Sequence, residues 1–374
     1  MRWRIAFPVA LVGAVLLVIV GAPSLRAHRR ATDVLRRFSG ETPTLLASGD
    51  PDVDRVEEDR DGSGRLHWYV PRAIADPPGL VLVHGIHRLA VDEPRLVRFA
   101  RALAASGVAV LTPEVRELAD YRVDARSIDT IGTAAHALSA KLSRKVGVMG
   151  MSFAGGLSLL AACDPRFAAD IGMVVAVGAH DDAARVARFF ATSRIARPDG
   201  STASLAAHGY GVLVFVYAHA ERFFLPDDLP TARQALAAWL AEERDAARAI
   251  ARDSSPASRE LLERLFDHRL EQVTVPFLGV VDAEPSAFEA VSPHRRLDAL
   301  RVPIFLLHGA GDTVIPATET EWLARDVPSR VLRDVLISRA LVHVEPGGQP
   351  TWYEQWELLH FVADVLAELD RVSR

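Results

Sequence analysis

A serine with small neighbours lies between an apolar run and a stretch of helical character, in the string Gly150-Met-Ser152-Phe-Ala154. Residues 146–149 before it predict a strand, and residues 153–163 after it predict a helix. A sharp strand-to-helix turn exposes a serine hydroxyl at the end of a sheet, and it needs small residues two positions before and two after the serine. Ser152 is therefore the candidate nucleophile, and a plain capping serine is the simpler alternative.

Three aspartates follow predicted strands and could assist that serine. Asp312 comes after the strand predicted at 302–308. A carboxylate in such a loop can orient a histidine and stabilise its charged form while the histidine activates a serine. Asp181 and Asp182, after the strand predicted at 171–177, are the alternative acids. A turn or helix-capping role is the simpler interpretation of Asp312.

His343 is the candidate general base. It is the only histidine in the loop 338–350, between the last predicted strand and the final helix. Serine nucleophiles are activated by a histidine within hydrogen-bond reach, which is in turn oriented by an acid. Ser152, Asp312 and His343 occur along the chain in the order serine, acid, histidine, which is typical of one class of hydrolases. The implied chemistry is acyl transfer through a covalent acyl-serine.

These residues require a sheet whose strands end at one edge. Short apolar runs alternate with helical patterns over 66–178 and again over 300–372. This alternation predicts an α/β fold with a mostly parallel central sheet and helices on both faces. Residues 179–299 carry long helical patterns and one short β-like run, 275–281. Because open α/β sheets bind ligands at the carboxyl ends of their strands, we expect this insertion to form a largely helical lid there.

The final helix carries its own start signal. Thr351 and Glu354 have the spacing of a capping box, which predicts a helix from this point. Apolar residues at helical spacing predict the stripe that the helix buries: Trp352, Trp356, Leu359, Ala363 and Leu366. This stripe should pack against the sheet.

The N-terminus contains a second apolar signal. Residues 5–22 are uncharged and mostly apolar, with Arg4 before them and Arg26 after them. As a helix this run would be about 27 Å long, enough for the core of a bilayer. We expect an uncleaved, single-pass membrane anchor over 1–22, with its orientation left open, and a secretory signal segment is the alternative. Residues 23–50 are expected to be a polar juxtamembrane spacer.

Composition excludes several classes of function. The 374 residues carry 43 Lys+Arg and 48 Asp+Glu, a net charge of −5. Because there is no basic surplus to neutralise phosphates, we expect no nucleic-acid partner. A single cysteine, Cys163, rules out an intrachain disulfide and any cysteine-cluster metal site.

The motifs together resemble the α/β-hydrolase superfamily. They are His84-Gly85 after the strand predicted at 79–84, the Ser152 turn, Gly309 to Asp312, and His343. The resemblance covers 66–178 and 300–372, and the stretch 179–299 is similar to the family's variable cap. It implies an α/β-hydrolase core formed by 51–178 and 300–374, interrupted by a cap at 179–299.

The resemblance also implies an oxyanion hole. In the family, backbone N–H groups come from the loop after the third strand and from the residue after the nucleophile. Carried over, these donors are Ile86 or His87 and Phe153. The implied activity is a serine hydrolase that cleaves carboxylic esters or related acyl bonds of a small-molecule substrate, with no metal and no organic cofactor. A metal site at His84 and His87 would lack further ligands.

Alternatives to ester hydrolysis use the same residues. An acyltransferase would employ the same triad and differ only in what attacks the acyl-enzyme. A non-catalytic binding protein of the same fold is the other hypothesis, although an intact triad argues against it. The aromatic-rich run 209–224 would either pack the lid onto the sheet domain or line an acyl pocket.

Overall fold

The computed structural model describes residues 24–40, 64–71, 74–269, 273–341 and 350–374 in full, and 53–59, 342 and 345–346 as backbone only. Twelve strands occur in these parts of the chain. Their bounds are β1 Val53–Asp59, β2 Arg65–Pro71, β3 Gly79–Val83, β4 Ala109–Pro113, β5 Val146–Met151, β6 Ile171–Val177, β7 Arg194–Ala196, β8 Thr202–Ser204, β9 Ile304–Gly309, β10 Leu332–Ser338, β11 Leu341–Val342 and β12 Glu345–Pro346.

Eight of these strands form one sheet in the order β1-β2-β4-β3-β5-β6-β9-β10. β2 runs antiparallel to both of its neighbours, and the strands from β4 to β10 are parallel to one another. Every residue of β3, β4, β6 and β9 is buried. Strands that are apolar on both faces need a cover on both, and this confirms the expected mostly parallel sheet between layers of helices.

Fourteen α-helices occur in the described residues. Seven belong to the sheet domain: α1 24–38, α2 Pro94–Ala105, α3 Arg116–Ala119, α4 Arg126–Leu142, α5 Phe153–Cys163, α13 Thr318–Asp326 and α14 Trp352–Val372. The other seven lie between β6 and β9: α6 Ala183–Thr192, α7 Gly209–Ala218, α8 Leu229–Leu240, α9 Arg244–Ala251, α10 Pro256–Phe266, α11 Thr274–Ala283 and α12 Pro285–Val291.

The helices of the sheet domain cover the two faces of the sheet. Ile131 of α4, Leu157 of α5 and Leu323 of α13 belong to one apolar cluster. Leu103 of α2 and Phe361 of α14 belong to another. Each cluster also contains side chains from the sheet strands, so each layer of helices buries its apolar face against the sheet.

Helix α1 was not expected. Residues 23–50 were expected to be a spacer, but 24–38 form a helix whose Ala27, Ala31 and Val34 are buried in the same cluster as Phe361. These three side chains are spaced four and three residues apart, so they share one face of the helix. Arg30 of α1 also forms an ion pair with Asp370 of α14 at 2.7 Å.

No helix from residue 24 onward in the described parts of the chain is long and apolar enough to cross a bilayer. The apolar run 5–22, on which the membrane-anchor prediction rests, lies outside the described residues. The anchor therefore stays a prediction.

The segment between β6 and β9, which we call the cap (residues 179–299), has an apolar cluster of its own. The run 275–281 was predicted to be β-like, and this was wrong, because it lies within α11. Phe277, Val280 and Val281 are buried there. Their spacing of three and four residues matches a helix face, and packing against other cap helices outweighs the β preference of valine.

Helix α14 confirms its start signal but not its whole predicted stripe. Thr351 and Glu354 form a capping box, in which each side chain bonds the other residue's backbone N–H. Ala363 and Leu366 are buried, whereas Trp352 and Trp356 are 79% and 50% exposed. The first turns of α14 extend past the edge of the sheet domain's core, so helical spacing alone overestimates how far the buried stripe reaches.

An ion-pair network ties both ends of the cap to the sheet domain. Arg185 of α6 lies 2.9 Å from Asp181 Oδ2 and 2.6 Å from Glu319 Oε1 of α13. Glu319 also accepts the backbone N–H groups of Asp181 and Asp182. At the other end of the cap, His294 Nδ1 lies 2.9 Å from both Asp181 Oδ2 and Asp326 Oδ2, and Asp326 belongs to α13. Asp181 and Glu319 are almost completely buried, so Arg185 places one positive charge between two carboxyl groups that water cannot reach.

We expect Arg185→Ala to lower the free energy of unfolding by about 3–5 kcal/mol, because it leaves two buried carboxylates without their cation. Urea denaturation followed by circular dichroism measures this. Arg188→Ala on the same helix is the matched control, since its pair with Asp282 is exposed and should contribute less than about 1 kcal/mol. Equal, small effects in both variants would show that the network does not hold the cap.

Candidate active site

Ser152 occupies the sharp turn between β5 and α5. Its backbone angles are φ 56° and ψ −132°, a combination that residues with a side chain rarely adopt. Such strain costs about 1–3 kcal/mol and persists only where the surrounding structure enforces it. The Ser152 N–H donates to Val177 O at 2.7 Å, which ties the turn to the end of β6. Among the described residues, no side chain hydrogen-bonds the Ser152 hydroxyl.

Close packing beneath the turn explains the small residues around Ser152. A methyl group added at Gly150 would lie 2.3 Å from the carbonyl oxygen of Ala154. No real side chain fits at that distance, so the turn can close only with glycine at this position. Ala154 is completely buried, and its carbonyl accepts the Ser158 hydroxyl at 2.7 Å. The short side chain at 154 thus lies inside the core rather than beside the hydroxyl.

The loop after β3 is held by a buried histidine. Val115 N–H donates to His84 Nε2 at 2.9 Å, so His84 Nδ1 carries the proton and donates to Gly85 O at 2.7 Å. Burial lowers the pKa of His84 to about 4, which keeps the ring neutral. A methyl group at Gly85 would lie 3.3 Å from Ser152 Cβ, so this loop lies directly against the candidate nucleophile.

The predicted oxyanion donors belong to peptide units whose orientation is set by side chains. Because a trans peptide is planar, its C=O and N–H point in opposite directions. The bond from His84 to the Gly85 carbonyl therefore turns the Ile86 N–H away from the His84 ring. The Tyr210 hydroxyl donates to the Ile86 carbonyl at 2.8 Å, which sets the direction of the His87 N–H in the same way.

Tyr210 is a residue that the sequence analysis did not single out. It lies in the first turn of α7, so the cap directly holds the loop beside Ser152. Burial raises the pKa of its hydroxyl above the usual range, so the group stays a donor. Only its place in the aromatic-rich run 209–224 could have pointed to it, and that run contains several other aromatic residues.

Phe153, the third predicted donor, is the first residue of α5. The first N–H groups of a helix have no acceptor within the helix, and the helix dipole makes them favourable partners for negative charge. Its ring lies 4.9 Å from the ring of His180, centroid to centroid. His180 is completely buried, and its Nε2 bonds Val291 O at 2.9 Å. Both ends of the cap thus meet beneath Phe153.

Asp312 lies in the loop after β9 and is completely buried. Its Oδ1 accepts the N–H groups of Val314 at 2.8 Å and Ile315 at 3.0 Å. Its other oxygen, Oδ2, lies 3.2 Å from His308 Nε2. These contacts hold the carboxylate in one orientation at the carboxyl edge of the sheet.

The two alternative acids are engaged elsewhere. Asp181 belongs to the Arg185 network, and burial raises its pKa to about 6. Asp182 caps helix α6 by accepting the N–H groups of Ala184 and Arg185. Both aspartates therefore join the cap to the sheet domain, and Asp312 is the better candidate acid.

His343 lies outside the described residues, so its assignment as the base stays a prediction. The chain on either side of it is described: β11 and β12 pair as an antiparallel hairpin, with Val342 opposite Glu345. In the sequence, His343 lies between these two strands.

Ser152 opens into a cavity of about 1300 Å³. Its lining is mainly apolar and comes from both the sheet domain and the cap. The loop 84–87 and Phe153 lie next to Ser152 in this lining. The cap contributes α7 together with parts of α6, α8 and α12, and the sheet domain contributes parts of α1, α2 and α14. Leu213 and Phe215 represent α7 in the lining. The run 209–224 therefore both packs the cap, through buried residues such as Val216, and lines the cavity.

One group of potential metal ligands occurs in the described residues: Asp181, His294 and Asp326. His294 Nδ1 lies 2.9 Å from a carboxylate oxygen of each aspartate. The Arg185 guanidinium lies 2.9 Å from the same Asp181 oxygen. A metal ion would therefore meet an existing positive charge, and the group is better described as part of the ion-pair network.

The sheet order, the single reversed strand β2, the serine turn after β5 and the insertion after β6 decide the architecture. The chain has the α/β-hydrolase fold. Asp312 after β9 and the loop at the end of β3 are at the places expected for this fold.

Similarity to known proteins is found at the level of structure. No protein-family model and no curated protein matches the sequence. Similar solved structures include a 2,6-dihydroxy-pseudo-oxynicotine hydrolase, 15% identical, covering 89% of this chain and 71% of its own, with a TM-score of 0.43. A 2-hydroxy-6-oxo-6-phenylhexa-2,4-dienoate hydrolase from Rhodococcus sp. strain RHA1 is 13% identical, covering 83% and 99%, with a TM-score of 0.44. Est1E from Butyrivibrio proteoclasticus is 13% identical, covering 84% and 99%, with a TM-score of 0.43.

Two of these three neighbours are hydrolases by name. The fold is assigned from the strand order and the serine turn described above.

The neutral His84 ring makes folding stability sensitive to acid. The pKa of His84 is lowered from 6.5 to about 4 in the folded protein, so the unfolded chain takes up a proton first as the pH falls. Stability contributed by the neutral ring is therefore present above about pH 6.5 and is lost towards pH 4, by about 3 kcal/mol at most. Urea unfolding at about pH 7 and about pH 4.5 measures the loss.

We expect His84→Gln to be less stable at neutral pH but to lose less stability on acidification. His136→Gln is the control, because His136 is 66% exposed in its side chain and pairs only with Asp170 in the described structure. A pH dependence that is the same in His84→Gln as in the wild type would contradict the neutral, buried ring.

Proposed function

We propose that the protein is a serine hydrolase that cleaves carboxylic esters of small molecules through an acyl-enzyme. The observation that carries this proposal is the strained Ser152 turn, enforced by Gly150 and placed against a loop that His84 holds. Strain at a polar residue in a cavity is typical of catalytic sites, because a site without function has no reason to retain it. The turn also starts a helix, whose N-terminus favours developing negative charge.

In the proposed mechanism the Ser152 oxygen attacks the ester carbonyl while His343 takes its proton. Asp312 stabilises the imidazolium, and the same proton then passes to the leaving alcohol. The N–H of Phe153 and that of Ile86 or His87 stabilise the oxyanion, each contributing about 3 kcal/mol to the transition state. Water, activated by His343, then releases the acid and restores Ser152.

The role of Asp312 is supported by its surroundings. It is buried and already accepts two backbone N–H groups, so its carboxylate is oriented before any substrate binds. An acid fixed in this way can hold one tautomer of the histidine, with the proton on the nitrogen that faces the acid. Asp181 and Asp182 are less suited to this role, because Asp181 Oδ2 is shared by Arg185 and His294 and Asp182 Oδ1 caps α6.

The proposed substrate carries an apolar acyl chain. Leu213, Val214 and Phe215 of α7 line the cavity that contains Ser152. Such a wall favours methylene groups over charged ones, since burying apolar surface is favourable and burying an unpaired charge is not.

A fluorophosphonate probe tests the nucleophile. If Ser152 is activated, the wild type should be labelled and Ser152→Ala should not, because the probe phosphonylates only an activated hydroxyl. Ser204→Ala, which removes an exposed hydroxyl from β8, is the control and should be labelled like the wild type. Equal labelling of Ser152→Ala and wild type, detected by gel fluorescence, would overturn the proposal.

A series of p-nitrophenyl esters tests the acyl pocket. We expect kcat/KM to rise from acetate through butyrate to at least hexanoate, by up to about fourfold for each CH₂ buried against α7. Leu213→Phe should shorten the preferred chain, because Leu213 lines the cavity. Val216→Leu adds volume to the same helix away from the cavity and should leave the preference unchanged. A flat or falling wild-type series would show that α7 only packs the cap.

A further inference from the structure

The first turns of α14 and the start of α1 form an exposed apolar surface. Eight large hydrophobic side chains are exposed among the described residues, and half of them lie here. We call this group the aromatic face: Leu25 (72% exposed), Trp352 (79%), Tyr353 (55%) and Trp356 (50%). Exposed apolar residues are ordinary when scattered, but tryptophan and tyrosine grouped together mark an interaction surface.

Contacts between α1 and α14 make this group continuous. The rings of His28 and Trp356 stack with their centroids 5.6 Å apart, and His28 Nε2 lies 2.9 Å from His360 Nδ1. Leu25 lies one turn before His28, so the two side chains are neighbours on the surface of α1. The rings of Trp352 and Tyr353 lie 6.1 Å apart.

The length of the chain relates this face to the apolar run 5–22. That run ends three residues before Leu25. Three residues span at most about 11 Å, so the end of the run must lie within that distance of the aromatic face. If residues 5–22 enter a bilayer, the bilayer surface therefore has to lie beside Leu25.

The chemistry of the face suits that position. Tryptophan and tyrosine are enriched where a membrane meets water, because each combines an apolar ring with a polar group. Arg26 and Arg29 of α1 are exposed, and neither forms an ion pair within the described residues. Basic residues beside an apolar surface favour anionic lipid headgroups. Trp352 and Trp356 also line the cavity that contains Ser152, so the face and the cavity are continuous.

We propose that the aromatic face lies in the headgroup region of a lipid bilayer. The face orients the folded domain on the membrane that residues 5–22 are predicted to enter. Docking of the aromatic face does not depend on the chemistry at Ser152. Its test therefore measures no activity, and its result is separate from that of the proposed function.

The reference protein, which stands for the wild type in this test, is the full chain carrying Trp3→Phe, because Trp3 lies beside the apolar run 5–22 and would itself be quenched. It is placed in vesicles of phosphatidylcholine, with and without bromine on the acyl chains. Bromine quenches tryptophan fluorescence at short range, so the wild type should lose fluorescence in the brominated vesicles. In Trp352→Phe/Trp356→Phe this lipid-dependent loss should fall to a minor part of the wild-type value. Trp322→Phe is the matched control and should keep this loss, because Trp322 lies on α13, where it packs against Arg185 and donates to Ala196 O of the cap.

Two results would overturn the proposal. One is a loss of fluorescence in Trp352→Phe/Trp356→Phe equal to that of the wild type, with circular dichroism showing that the variant is folded. The other is tryptophan fluorescence that is the same with plain and brominated lipid, together with a cross-linked dimer that Trp352→Phe/Trp356→Phe no longer forms. This result would show that a second copy of the chain covers the face. Shielding of the wild-type tryptophans from aqueous acrylamide on vesicle binding, reduced in the double variant, would support the proposal independently.

Discussion

The close approach of Gly150 to the Ala154 carbonyl is the constraint from which the site follows. Only a glycine lets β5 turn directly into α5, and the sharpness of that turn places Ser152 at a positive φ. The serine is then presented at the carboxyl edge of the sheet rather than along a helix. The bond to Val177 O ties this turn to the end of β6, and the loop held by His84 packs against its other side.

A hydrogen bond links the cap to the loop beside that turn. Tyr210 bonds the carbonyl of Ile86, so the first turn of a cap helix helps to set the orientation of the loop beside Ser152. The cap is in turn fastened at both ends by Arg185, Asp181 and His294. Because α6, which carries Arg185, packs against α7, which carries Tyr210, two cap helices link the ion-pair network to the loop beside Ser152.

Helix α1 packs into the core of the sheet domain, although the polar composition of residues 23–50 predicted a spacer. Helix α1 buries alanines and one valine, each of which removes little apolar surface from water, and it places His28 against Trp356 of α14. The same helix thus contributes to the core and to the aromatic face. An apolar segment that precedes it in the sequence is therefore close to the face by chain connectivity alone.

The sequence by itself determined the features that depend on near neighbours along the chain. The strand-to-helix turn at Ser152, the capping box of Thr351 and Glu354, and the buried strands could all be predicted, because local spacing and hydrophobic runs decide them. The oxyanion donors Ile86, His87 and Phe153 were predicted from a family resemblance, and they stay a prediction.

Only the tertiary structure decided what depends on distant partners. Residues 275–281 are helical because cap helices pack around them, and Trp352 and Trp356 are exposed because α14 extends beyond the core. Asp181 and Asp312 look alike in sequence, but one meets Arg185 and the other meets the backbone of its own loop. Contacts between residues far apart in sequence produce no hydrophobic periodicity. The exposure of the tryptophans, the ion pairs of Asp181 and the bond from Tyr210 to Ile86 O therefore follow only from the tertiary structure.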